Sequence, residues 1–263
     1  MPSNLQAKFA IVITPALLML TSAIGIIAFS WPLILTSESL ISPNFAPGLT
    51  ALILSVSLLA VFTAISSGNL HSKAIALLGL LAALIAAARL LGAHAFGIEP
   101  MWAFIVIAGR ALGPTIGFSA GSLGMVSSAV ITGGIGPWLP FQMLAAGWVG
   151  LIAGLIPIPK NKIEVPLLAI LGALLSLIVG LLLNLWFWPT ATVGNDAIEF
   201  LPGAQITDNL TRLMLYSITT SATFDIPRAI VTFTIIMLIG GGMLRTLRRI
   251  TRPTKFVLQE NLN

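Results

Sequence analysis

Little in this sequence could do covalent chemistry. It contains no cysteine, which removes disulfides, thiolate metal sites and thiol nucleophiles together. Its two histidines, His71 and His94, stand 23 residues apart, and no HExxH pair places two imidazoles on one helix face for a metal. Ser122, in Ser119-Ala-Gly-Ser-Leu-Gly, faintly resembles a membrane serine nucleophile, but no histidine follows it to act as base. No GxxxxGK[ST] loop is present to cradle ATP. Apart from Asp196 and Glu199, no two acids lie within three residues of each other, so an aspartate-rich diphosphate site is missing too. No catalytic residue, metal site or cofactor is expected.

Recognition chemistry remains, and its residues gather at one end of the apolar segments. Arg89, His94, Glu99 and Trp102 come first, then Gly133-Gly-Ile-Gly-Pro-Trp138, Phe141 and Gln142, then Trp186, Trp188, Asp225 and Arg228. An arginine inside a hydrophobic segment is costly and usually has a partner, and Glu99 is the expected partner of Arg89. Asp225 and Arg228 form a second pair at i,i+3 helical spacing. A glycine-rich loop before Trp138 lets backbone come close to a bound molecule. The plainer reading of the same residues is a snorkelling arginine and tryptophans anchored at the lipid interface. A different pattern marks residues 74–92. Gly79, Ala83 and Ala87 stand four apart, Ala82 and Ala86 form a second such row, and small residues at this spacing admit another helix at close range. That helix belongs either to this chain or to a partner.

The elements that must position these residues are membrane helices. The 263 residues are 57% apolar and 8% charged, where a soluble chain carries about 25% charged residues. Residues 9–37, 111–159 and 165–195 contain no Asp, Glu, Lys or Arg, and about 20 apolar residues cross a bilayer. Breakers divide the chain into spans near 9–35, 48–66, 74–92, 101–110, 115–132, 138–157, 165–187 and 229–244. A single helix over 101–133 would be about 50 Å long, so the chain must turn at Gly113-Pro114. Between 189 and 224, Leu210, Leu213, Met214 and Ile218 recur at helical spacing, which predicts a short amphipathic helix at the surface.

The net charge of +5 does not point to nucleic acid, because five of the thirteen basic residues crowd into Arg245–Lys255, a membrane-orienting tail. Eight spans put both termini on one side, and that tail makes the side cytoplasmic. Lys73, Arg110, Lys160 and Lys162 then face inward with only Glu164 among them. Glu38, Glu99, Asp196, Glu199, Asp208 and Asp225 face outward with Arg212 and Arg228. The apolar run after Lys8 is longer than a signal-peptide core of about 7 to 15 residues and is read as a retained helix.

Four stretches together resemble the substrate-binding S components of energy-coupling factor (ECF) transporters: Ala108-Gly-Arg-Ala-Leu-Gly-Pro-Thr-Ile-Gly-Phe118; Thr132-Gly-Gly-Ile-Gly-Pro-Trp-Leu-Pro-Phe-Gln-Met143; Gly147-Trp-Val-Gly-Leu151; and Phe224-Asp-Ile-Pro-Arg-Ala229. The likeness spans roughly residues 74–252 and is nearest to the larger actinobacterial type, sometimes linked with cobalamin or its precursors. It implies a six-helix core that binds a vitamin from outside. The core then topples against a transmembrane coupling subunit driven by two ATPases, which fits the missing ATP loop. It also implies that an AxxxA-type face on the first core helix, here Gly79, Ala82, Ala83, Ala86 and Ala87, docks to the coupling subunit. The pocket would open outward near Trp138, Gln142, Asp225 and Arg228.

The sequence therefore predicts an all-α polytopic membrane protein in a bacterial cytoplasmic membrane. Residues 1–73 form a two-helix hairpin, 74–252 a six-helix core and 253–263 a cytoplasmic tail. Trp138, Phe141 and Gln142 are the expected pocket contacts, with Arg89, Glu99, Trp102, Asp225 and Arg228 around them. Two rivals stay open: a self-sufficient secondary transporter, which would need a midplane charged or broken-helix site and often an internal repeat, and a ligand-free structural subunit.

Overall fold

The computed structural model describes residues 4–34, 46–67, 72–92, 97–191 and 194–251. His71, His94 and the tail 253–263 lie outside them. The chain runs α1 (Asn4–Phe29), α2 (Trp31–Ile34), α3 (Ala46–Ser67), α4 (Ser72–Gly92), α5 (Met101–Leu112), α6 (Pro114–Thr132), α7 (Leu139–Leu155), α8 (Glu164–Phe187), α9 (Ile206–Tyr216) and α10 (Ala222–Thr251). Among the described residues there is no strand. Helix is what a lipid-facing chain must form, because no water is at hand to satisfy open backbone groups. Four stretches are long and apolar enough to cross a membrane, Ile75–Gly92, Pro114–Thr132, Glu164–Thr190 and Ile206–Ile250, and α5 and α7 are shorter apolar helices. The protein is a polytopic, all-helical membrane protein.

The turn expected at Gly113-Pro114 is where the chain reverses. Gly113 adopts φ +95°, a left-handed value that glycine takes without steric cost. Pro114 opens α6, where its missing N–H costs nothing.

The short helix α5 is the axis of the core, buried from Met101 to Gly109 except at Phe104 and packed against α4, α6, α7, α8 and α10. The tightest seam joins α6 to α7. A Cβ on Gly117 would stand 2.5 Å from the Gly150 carbonyl oxygen, and one on Gly147 would stand 2.6 Å from Ser122 Oγ. Only small residues let two backbones come this close, and in lipid such packing replaces the hydrophobic drive between helices. Ser122 belongs to the seam, since its hydroxyl donates to the Met143 carbonyl at 2.8 Å.

Helices α1 and α3 pair with each other and pack on α7. Phe29 lies edge-on to Phe141 with ring centroids 5.0 Å apart, and Trp148 Nε1 donates to Ser22 Oγ at 2.9 Å.

Two expectations need correction. The last helix begins near 222 and not 229, with Pro227 in its second turn. Its early charges, Asp225 and Arg228, pair with each other, so they do not end the helix. The expected stripe on α9 also divides. Leu210, Met214 and Ile218 are exposed, while Leu213 turns inward to a small separate core with Trp188, Ile198 and Tyr216. The cause is Trp188, fully buried and donating Nε1–H to the Ile198 carbonyl at 2.6 Å. Trp188, Ile198, Leu213 and Tyr216 thereby form a small core against the end of α8, where Leu181 and Leu185 pack on it.

Candidate functional site

Helices α4, α6, α7 and α10 bring polar side chains to one end of the core, called here the Arg89 end. Arg89 is in the last turn of α4. Its Nη1 donates to Ser128 Oγ on α6 at 2.8 Å and its Nη2 to Gln142 Oε1 on α7 at 3.3 Å. The expected Arg89–Glu99 pair does not form. Glu99 Oε2 instead accepts from Arg228 Nε at 2.8 Å and from Trp102 Nε1 at 2.6 Å. Helical geometry explains the exchange: Glu99 lies just before α5, which packs on α10, and Arg228 reaches it from there. The Asp225–Arg228 pair does form, at 2.7 Å from Nη1 to Oδ1. Gly180 on α8 makes room for it, because a Cβ there would stand 2.5 Å from the Asp225 carboxyl carbon.

The aromatic residues separate by exposure. Trp138 is 43% exposed. Its ring folds back over its own loop, with Nε1 donating to the Gly134 carbonyl at 3.1 Å, and a Cβ on Gly136 would touch the ring at 2.5 Å. The glycines thus admit the indole. Trp102 is buried and holds Glu99. Phe141, expected among the pocket contacts, has no exposed surface and is packed between Phe29 and Trp186.

Sequence reasoning missed several partners. Ser128 is fully buried, and its importance follows only from Arg89 lying across from it. Asn184 Nδ2 bonds Ser217 Oγ at 3.1 Å and Ser221 Oγ at 2.9 Å, tying α8 to the π-helical turn Ser217–Ser221. An amide in an otherwise apolar span was the signal that could have found it. The indole Nε1–H groups of Trp31 and Trp186 are buried without a partner.

A second ionic cluster closes the opposite end of the core. Glu164, in the first turn of α8, receives Arg248 of α10 through two bonds, Nη1 to Oε2 at 2.9 Å and Nη2 to Oε1 at 2.6 Å. Arg110 of α5 donates Nε to Oε1 at 2.8 Å and also bonds the carbonyls of Ile156 and Ile158 after α7. One buried carboxylate joins three helices, and Arg110 adds the segment after α7.

On the flank, α4 and α6 enclose a groove of about 400 Å³ lined by Gly79, Ala82, Ala83, Ala86, Ala87, Leu90, Leu123, Ser127 and Ile131. The two small-residue rows part company there. Ala82 and Ala86 are buried, while Gly79, Ala83 and Ala87 are exposed. One row serves packing within the chain and the other presents a free face.

The described residues form a many-helix membrane core with ionic clusters at both ends and hold among them no cluster of histidine and carboxylate fit to bind a metal. The family model of the ECF transporter substrate-specific component matches residues 73–240, and the chain belongs to that family. It is thus a substrate-specific membrane subunit of an ECF transporter, and membership implies association with an ECF module of transmembrane and ATPase subunits. No curated protein and no solved structure matches it.

Proposed function

We propose that the chain captures a vitamin or related micronutrient at the Arg89 end and delivers it by reorienting against the coupling subunit of an ABC-type importer, without covalent chemistry. The observation that carries this reading is the free row Gly79, Ala83, Ala87 along the α4–α6 groove. It offers a neighbouring helix the close approach that intramembrane association needs. The N-terminal hairpin packs on α7 and leaves that row exposed.

The lysine and arginine distribution supports placing the Arg89 end outside a bacterial cytoplasmic membrane, with both termini inside. Trp138 and Gln142 contact the substrate at the mouth. Asp225, Arg228, Glu99 and Trp102 fix the ends of α5 and α10 around it. The hairpin 1–73 buttresses the core 74–252 through Phe29 and Phe141. Cobalamin or a precursor, suggested by the sequence motifs, is the first cargo to test.

Co-expression with the coupling and ATPase subunits tests the docking face. Ala83→Leu should abolish co-purification and uptake while leaving ligand-induced stabilisation intact. Unchanged co-purification with Leu at 83 would remove the groove from the coupling interface.

A further inference from the structure

Four charged side chains meet at the Arg89 end, but they are not equally satisfied. Arg228 bonds both carboxylates, Glu99 at 2.8 Å and Asp225 at 2.7 Å, and Glu99 Oε2 is shared with the Trp102 indole. Among the described residues Arg89 meets only neutral acceptors, Ser128 Oγ and Gln142 Oε1, and Glu99 acts on it at longer range. Those two bonds use two of the five N–H donors that a guanidinium carries.

The acceptors are themselves fixed. The Ser128 hydroxyl gives its proton to the Met125 carbonyl at 2.8 Å, so its lone pairs face Arg89. Gln142 must turn its oxygen to Arg89, because arginine only donates, and its NH2 group is then left without a protein partner among the described residues. The result is a partly exposed guanidinium in a membrane helix, aimed by two neutral groups, with spare N–H donors beside a spare amide donor. A cation in an apolar segment ordinarily finds a counter-ion, and planar guanidinium donors match carboxylate or phosphate oxygens in pairs.

We propose that Arg89, with Gln142, recognises an anionic group, a carboxylate or a phosphate, on the transported compound, and that Arg228 does not. This rests on the substrate-binding reading above and narrows it to anionic substrates.

The test uses the detergent-purified full chain and matched compounds that differ only in the anion: nicotinate and nicotinamide, pantothenate and panthenol, biotin and biotinamide, flavin mononucleotide and riboflavin. Thermal stabilisation by the acid member of one pair, and not by its neutral twin, is the expected result, and the responding pair tells carboxylate from phosphate. Arg89→Gln should weaken that binding by at least tenfold while melting near wild type without ligand. Arg89→Lys keeps the charge but loses the fork; it should retain an intermediate affinity, and it stands in if the glutamine variant does not fold. Equal response to both members of a pair, an acid preference that survives Arg89→Gln, a response to neutral compounds alone, or no response to any acid would overturn the assignment. In each of those cases, co-purification with the coupling and ATPase subunits leaves the transporter reading standing. Its failure would remove both.

Discussion

The two ends of the core join guanidinium and carboxylate groups in different ways. At one end a single buried carboxylate, Glu164, is gripped by Arg110 and Arg248. At the other a single guanidinium, Arg228, is shared by Glu99 and Asp225, and a second guanidinium, Arg89, stands apart on neutral partners. On α10 the two centres, Arg228 and Arg248, are twenty residues apart, a rise of about 30 Å, close to the thickness of a hydrocarbon core. The Glu164 end is closed: both carboxylate oxygens are used, and Arg110 also takes two carbonyls beyond α7. The Arg89 end keeps donors in reserve. One end is built to hold helices together, the other to hold them and still offer a charge.

That contrast predicts a graded set of effects. Glu164→Ala should be the most damaging, lowering stability by about 3 kcal/mol, because it takes the carboxylate from Arg110, whose side chain is 8% exposed, and removes both of its bonds to Arg248; chemical denaturation in detergent measures it, and a loss near zero would erase the distinction between the ends. Arg228→Gln should cost less, about 2 kcal/mol in the same assay, since it removes two charge-assisted hydrogen bonds but leaves Glu99, whose side chain is 30% exposed, open to water. Arg89→Gln should cost about 1 kcal/mol or less, as it removes two hydrogen bonds to neutral groups while the Ser128 hydroxyl keeps its bond to the Met125 carbonyl, with its main effect on ligand affinity. Ala83→Leu, on an exposed helix face, should change stability by about 0.5 kcal/mol or less and act only on coupling.

Much of this was legible in the sequence because the bilayer leaves few choices. Uncharged runs and breakers placed α3, α4, α6, α7 and α8 within a few residues, and Gly113-Pro114 placed the one turn that composition alone would have hidden. The polar residues that gather at the Arg89 end were legible as a set but not as pairs. Arg89 and Glu99 are near in sequence, yet Glu99 goes to Arg228, 129 positions away, because helix packing and not chain order decides which charges meet. The burial of Phe141 was not legible for a related reason. An aromatic beside a glycine-rich loop reads as a pocket wall until the hairpin's Phe29 is found packed on it. The two small-residue rows on α4 could not be assigned separately, since their periodicity is the same and only the position of α6 decides which one is covered.

The central claim is that the Arg89 end binds the substrate. Its most direct measurement is the thermal stability of the purified chain against a panel of vitamins, for the wild type and for Trp138→Ala/Gln142→Ala. A bound vitamin at 100 times its dissociation constant should add about 2.7 kcal/mol of stability to the wild type, and the double variant should lose that gain while melting normally alone. No stabilisation by any vitamin, or a gain that persists in the double variant, would contradict the account.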